Sequence, residues 1–180
     1  CEHSYAKAEL FGDDSDKVWK LRAAGLGLLS NVPGDAKPVA CIEDTAVRID
    51  VLQEYIREFD ALMQGFGQES VYYAHAGAGE LHLRPILNLK TSEGVRLLYE
   101  ISKASAELVK KYGGSLSGEH GDGRVRAAFI QDFYGPEVYP WMESFKKAWD
   151  PENQLNPGKI VGAKPMNEDL RYEVDREEPI

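Results

Sequence analysis

Two β-rich runs near the middle of the chain constrain its fold more than any other feature. They are Val71-Tyr72-Tyr73-Ala74-His75 and Leu81-His82-Leu83-Arg84-Pro85-Ile86-Leu87, and the second alternates apolar and polar positions. Six residues separate His75 from His82, and Gly77 and Gly79 among them suit a hairpin loop. Helical patterns flank this hairpin on both sides. Thr45 to Phe66 predicts a helix whose stripe is Val47, Val51, Leu52, Tyr55, Phe59, Leu62 and Met63, closed by Gly65 and Gly67. Thr91 to Tyr112 predicts a second, capped by Thr91 or Ser92 and stopped by Gly113-Gly114. Val39 to Ile42 has strand character, and Ser115 to Gly118 reads as a short strand or edge. Strand, helix, strand, strand, helix, strand is the ferredoxin-like order. The expected class is therefore α+β, an antiparallel sheet with helices on one face.

Further helices are expected around this unit. Asp16 to Ser30 has Asp14 and Ser15 as candidate caps, with Val18, Leu21, Arg22, Leu26 and Leu29 near one face. Val125 to Asp132 predicts a short helix, and Gly135-Pro136-Glu137 opens another that runs to Trp149 and stops at Asp150-Pro151. After Gly158 the pattern turns irregular. Pro165 to Ile180 holds six acidic and two basic side chains and few apolar ones. We read residues 1–160 as one domain and 161–180 as an acidic tail or a linker to a further module.

Composition narrows the function classes. A chain of 180 residues with 43% apolar side chains can bury a real core. A net charge of −9 argues against nucleic acid or an anionic membrane as partner. No run approaches the ~18 apolar residues of a membrane span. The start, Cys1-Glu2-His3-Ser4, has neither the basic nor the apolar region of a signal peptide, and its lack of an initiator methionine suggests a piece of a longer protein. Cys1 and Cys41 form no CxxC and no disulfide framework, so a reducing, cytoplasmic setting is expected.

The chemistry is concentrated. Three of the four histidines lie in two glycine-rich stretches, His75-Ala76-Gly77-Ala78-Gly79-Glu80-Leu81-His82 and Gly118-Glu119-His120-Gly121-Asp122-Gly123-Arg124. Flanking a tight hairpin, His75 and His82 would meet across the strand ladder. Glu119 could add a hard oxygen ligand. Two imidazoles and a carboxylate with open positions suit Zn²⁺, Mn²⁺ or Fe²⁺ and leave room for a substrate. The plain alternative is that each histidine caps a loop. If the backbone at Glu119-His120 is extended, the two side chains point apart, one toward metal and one toward a reacting atom. His120 could then be a general base. Gly121-Asp122-Gly123 could be a plain turn, and neither GK[ST] nor a complete GxGxxG follows a strand. Arg124 and Arg126 could bind a carboxylate or a partner domain, with solvation as their default.

These motifs, followed by Leu155-Asn156-Pro157-Gly158-Lys159, resemble the C-terminal cap domain of FAD-linked oxidases. That group includes the D-lactate, glycolate and D-2-hydroxyglutarate dehydrogenases of the vanillyl-alcohol-oxidase superfamily. The resemblance spans roughly Val18 to Ile160, and the family's ferredoxin-like cap agrees with the element order. It implies that His75, His82 and Glu119 are metal ligands, for Zn²⁺ or Mn²⁺. It implies that His120 takes the hydroxyl proton while hydride leaves the α-carbon for the flavin. Asn156 falls in the stretch that returns toward the flavin, and Arg22 matches an arginine that pairs with a substrate carboxylate. Other polar contacts of the hydroxyglutarate enzymes fall on Leu26 and Ile42, which leaves the identity of the acid open. FAD would be bound mainly by an N-terminal domain of the same protein. The wording from Cys41 to Val47 is similar to large bacterial members that carry an iron–sulfur module after the cap, reached here through the acidic tail. Electron-acceptor partners could hold such a protein peripherally at the inner membrane. Two readings outside this family stay open: a metal-dependent hydrolase using the same three ligands, and a non-catalytic ferredoxin-like binding module.

Overall fold

The computed structural model describes residues 8–177. Two compact units divide the chain, residues 1–34 and residues 35–180.

The described part of the first unit holds one helix, α1 (Asp13–Ser30). Its N-cap is Gly12, with no side-chain capping bond, so Asp14 and Ser15 lie inside the helix rather than before it. Their carboxyl and hydroxyl groups still sit where the first turn leaves N–H groups unpaired, which favours negative charge at Asp13, Asp14 and Asp16. The expected buried face is not found. Val18, Trp19, Leu21 and Leu28 are exposed, and so is Arg22. Among the described residues of this unit, α1 has no second element against which to bury a stripe.

The second unit is an α+β fold built on the hairpin. β3 (Ser70–His75) and β4 (Glu80–Leu87) pair antiparallel, joined by a 3₁₀ turn at Ala76–Ala78. The opposite edge of β4 carries two short strands, β1 (Lys37–Pro38) at its far end and β2 (Thr45–Ala46) at its start. Ala46 in turn bridges Ser115. The spatial order is β3, β4, β1 with β2, then Ser115, which is the ferredoxin-like arrangement. The expected strand over Val39 to Ile42 is instead a turn. Cys41 and Ile42 are buried because that turn crosses the core, not because a ladder holds them.

Alternation along β4 divides its faces. Leu81, Leu83, Pro85 and Leu87 point into the core, and Glu80, His82 and Arg84 to the other side. Helix α2 (Leu52–Gly65) buries Tyr55, Phe59 and Met63, spaced four apart, in that core. It starts later than its sequence pattern suggests. Thr45 and Ala46 belong to β2, where strand pairing overrides local helical character. Helix α3 (Ser92–Lys111) presents Leu97, Leu98, Ile101, Leu108 and Val109 to the core. Thr91 Oγ1 caps it by accepting the Gly94 N–H at 3.1 Å. At its other end Gly113, at φ 63°, lets the chain reverse.

Two shorter helices follow, α4 (Ala127–Tyr134) and α5 (Tyr139–Trp149). Pro136 stands in the turn before α5, and the proline in its first turn is Pro140. The described residues after Gly158 form no helix or strand, yet Met166 is buried in the core and Asp175 accepts the Ser92 backbone N–H at 3.0 Å. No helix among the described residues is long and apolar enough to cross a membrane.

Candidate metal and substrate site

Opposite the helices, the polar face of the hairpin collects four of the residues singled out by sequence. In the ladder His75 pairs with Glu80, and His82 with Tyr73. His75 and His82 are therefore diagonal neighbours rather than direct partners, and their ring centroids lie 5.2 Å apart. Tyr73 packs on His82 at 4.7 Å, which helps hold that ring within the sheet face.

Glu119 comes to the histidines from outside the sheet. Its Oε1 lies 3.6 Å from His75 Nε2 and 3.9 Å from His82 Nε2. Donors bound to one tetrahedral ion at ~2.0–2.1 Å would stand about 3.3 Å apart. The three groups are thus spaced only slightly wider than a shared ion requires. Burial pushes His82 down from the usual imidazole pKa, favouring the neutral ring that a metal needs.

Glu119 and His120 do not point apart. The backbone there is a bend rather than an extended strand, and His120 Nε2 lies 3.5 Å from Glu119 Oε1. The His120 ring stacks on His82, 5.4 Å between centroids at an interplanar angle of 13°. Its other nitrogen, Nδ1, is 3.7 Å from Glu43 Oε1. Glu43 is itself fixed by Arg84, whose Nε donates to Glu43 Oε2 at 2.6 Å.

The bend is built around Asp44, a fully buried carboxylate in the left-handed region at φ 82°. The Glu119 N–H donates to Asp44 Oδ1 at 3.0 Å, the His120 N–H to Oδ2 at 2.8 Å, and the Ser117 hydroxyl also donates to Oδ2. The Gly118 N–H donates to the Asp44 carbonyl at 2.7 Å. Burial opposes charge on Asp44, but hydrogen bonds from Glu80, Ser117 and these two amides outweigh it and hold its pKa at about 2. Glu80 shifts the opposite way, to about 7, through its hydrogen bond to Asp44, burial and the nearby Glu119. Arg126 locks the same loop. Its Nη1 donates to the Gly121 carbonyl at 2.9 Å and its Nη2 to the Glu43 carbonyl. Neither Arg126 nor Arg124 is simply solvated, since Arg124 donates to the Glu168 and Asp169 carbonyls.

Sequence reading missed Glu43, Asp44 and Glu80. The alternation Glu80-x-His82 could have flagged Glu80, because it places both on one face of β4. The Glu43-Asp44 doublet beside an apolar run was a weaker signal. Asn156 sits exposed at φ 48° in the loop after α5. That loop is held by Asp150, which accepts the Gln154 and Leu155 N–H groups at 2.8 Å each. The Ile160 N–H then donates to the Gly123 carbonyl at 2.8 Å, placing this segment against the loop that carries His120. Beside it, α4 and α5 border an apolar cleft of about 660 Å³ lined by Trp141, Phe145 and Trp149. Arg22 belongs to the other unit.

The fold is a ferredoxin-like α+β domain with imidazoles and carboxylates gathered on the free face of its sheet. The chain belongs to the family of FAD linked oxidases, C-terminal domain, which matches residues 6–160. A D-2-hydroxyglutarate dehydrogenase of Pseudomonas putida is 44% identical over 144 residues, covering 80% of this chain and 14% of that protein. One from Haemophilus influenzae is 40% identical over 172 residues, covering 92% of this chain and 17% of its own. A D-lactate dehydrogenase of Archaeoglobus fulgidus is 34% identical over 149 residues, 82% of this chain and 31% of that protein. The chain spans less than a fifth of the length of the two D-2-hydroxyglutarate dehydrogenases.

Proposed function

We propose that this chain is the metal- and substrate-handling domain of an FAD-dependent dehydrogenase that oxidises a D-2-hydroxy acid to the 2-oxo acid. The observation that carries the reading is the convergence of His75, His82, Glu119 and His120 on one sheet face, in a member of the FAD-linked oxidase family. His75, His82 and Glu119 would hold a divalent ion, which supplies Lewis-acid polarisation of the substrate hydroxyl and carboxylate. FAD, bound mainly by a separate domain, supplies the acceptor for the α-carbon hydride.

The chain's own residues do the rest. His120 Nε2 accepts the hydroxyl proton. Glu43 beside Nδ1 favours the tautomer that leaves Nε2 free, and stabilises the ring once it is charged. Arg22 pairs with a substrate carboxylate, a bidentate role suited to a guanidinium. Asn156 lies on the segment assigned to the flavin side. D-2-hydroxyglutarate heads the candidate substrates because three relatives at 40% to 44% identity carry that name.

The test uses the flavin-bearing enzyme and stopped-flow flavin reduction with a panel of D-2-hydroxy acids. His120→Ala should slow reduction ~10²–10⁴-fold, the range for losing a general base. Metal content should stay near wild type. A His120→Ala enzyme that reduces flavin at the wild-type rate would show that the proton goes elsewhere.

A further inference from the structure

We propose that Glu80 is a fourth protein ligand of the metal ion, which makes the site a two-imidazole, two-carboxylate centre suited to a six-coordinate ion such as Mn²⁺. This rests on the three-ligand reading above and extends it. Glu80 shares a face of β4 with His82, and the ladder sets it directly opposite His75. Its side chain is only 9% exposed, and its Oε1 is buried without a hydrogen-bond partner, 4.0 Å from His82 Nε2. Glu80, Glu119 and Asp44 offer oxygens that all lie within 4.8 Å of one another.

The carboxylate has little freedom to leave. Gly118 closes over it so tightly that a Cβ there would sit 3.3 Å from Glu80 Cδ and Cγ. A buried oxygen without a partner is costly unless something binds it. Neither Arg84 nor Arg126 donates to it. Arg84 is held by Glu43, and Arg126 by two backbone carbonyls. Asp44 is an unsuitable ligand because its oxygens already accept from Ser117, Glu119 and His120. Glu80 Oε1 is the acceptor left over, and it faces the imidazoles.

The ligand count has a chemical consequence. His75, His82, Glu119 and Glu80 fill four positions. A 2-hydroxy acid chelating through hydroxyl and carboxylate would fill two more, completing an octahedral set of two nitrogens and four oxygens. Oxygen-rich octahedral sites suit Mn²⁺, whereas Zn²⁺ is satisfied by three protein ligands and one open position.

Calorimetric titration of the 180-residue chain with Mn²⁺ and Zn²⁺ decides it. Glu80→Gln keeps the shape and can still donate to Asp44, so the fold should hold. It should weaken Mn²⁺ binding at least ~10²-fold, beyond the usual effect of an outer-shell change, and Zn²⁺ binding less. The visible bands of the Co²⁺-loaded protein should intensify as coordination drops toward four. Glu80→Asp, which keeps the charge but not the reach, should bind Mn²⁺ with intermediate affinity, and is read instead if the glutamine variant unfolds. His75→Ala/His82→Ala should abolish binding. Wild-type Mn²⁺ affinity and an unchanged Co²⁺ spectrum in the Glu80 variants, with binding lost in the double-histidine variant, would overturn Glu80 as a ligand and leave the metal reading intact. Wild-type binding by the double-histidine variant would overturn both.

Discussion

The residue on which the site's geometry turns is Asp44, which binds no substrate in our reading. Its carboxylate holds the two amides that aim Glu119 and His120, so it positions a proposed ligand and a proposed base at once. Asp44→Asn separates charge from shape. Asparagine tolerates the left-handed backbone at φ 82°, so the turn should survive. Its NH₂ group, however, must face one of the N–H donors that the carboxylate accepts. Loss of charge-assisted bonds should cost about 1.5–3 kcal/mol of stability in urea. Mn²⁺ affinity should fall ~10–100-fold, as for outer-shell partners generally. Unchanged affinity in a destabilised variant would reduce Asp44 to a purely structural role. At this scale the histidines and Glu119 were legible in the sequence because few chains concentrate imidazoles among glycines. Asp44 was not, because its partners lie some 75 positions away along the chain. Nothing local in a Glu-Asp doublet tells a buried hub from a solvated turn.

Among the elements, the β3–β4 hairpin decides whether the proposed ligands meet. Gly79 closes it at φ 73°, and a Cβ there would lie 1.9 Å from the Val47 carbonyl oxygen. Gly79→Ala therefore faces left-handed strain and a backbone clash together, and should cost well over ~1 kcal/mol. Because Val47 N–H also donates to the Gly79 carbonyl at 3.0 Å, the displacement should spread into the turn carrying Glu43 and Asp44. Gly77→Ala is the control, since its Cβ would meet open space. Urea unfolding and Mn²⁺ titration of both variants check this, with stability and affinity lost at Gly79 only. Equal tolerance at the two glycines would mean that the turn adapts. The hairpin and α3 were readable because alternation, glycine spacing and a threonine cap are local signals. The start of α2 and the Val39–Ile42 segment were misread, since Thr45–Ala46 is claimed by pairing with Leu81 and Glu80, which no local propensity encodes.

At the scale of the whole molecule, the described core and the proposed metal ligands lie within the second unit. Every described core residue lies between Cys41 and Met166, and all four proposed ligands lie within residues 75–119. Removing residues 1–34 should therefore leave cooperative unfolding and Mn²⁺ affinity within about threefold of the full chain, allowing the few tenths of a kcal/mol by which independent sites usually fail to add. Substrate behaviour should differ. If Arg22 recognises the carboxylate, the flavin-bearing enzyme with Arg22→Lys should show a raised KM for D-2-hydroxy acids, because an ammonium cannot reproduce the bidentate fork. Its metal content and its circular dichroism should be unchanged. The exposure of Arg22 removes burial as a reason for the residue, so the functional pairing must be carried by this kinetic result. A wild-type KM in the lysine variant would assign carboxylate recognition to another cation. Loss of Mn²⁺ binding on removing residues 1–34 would show that the first unit shapes the metal centre after all.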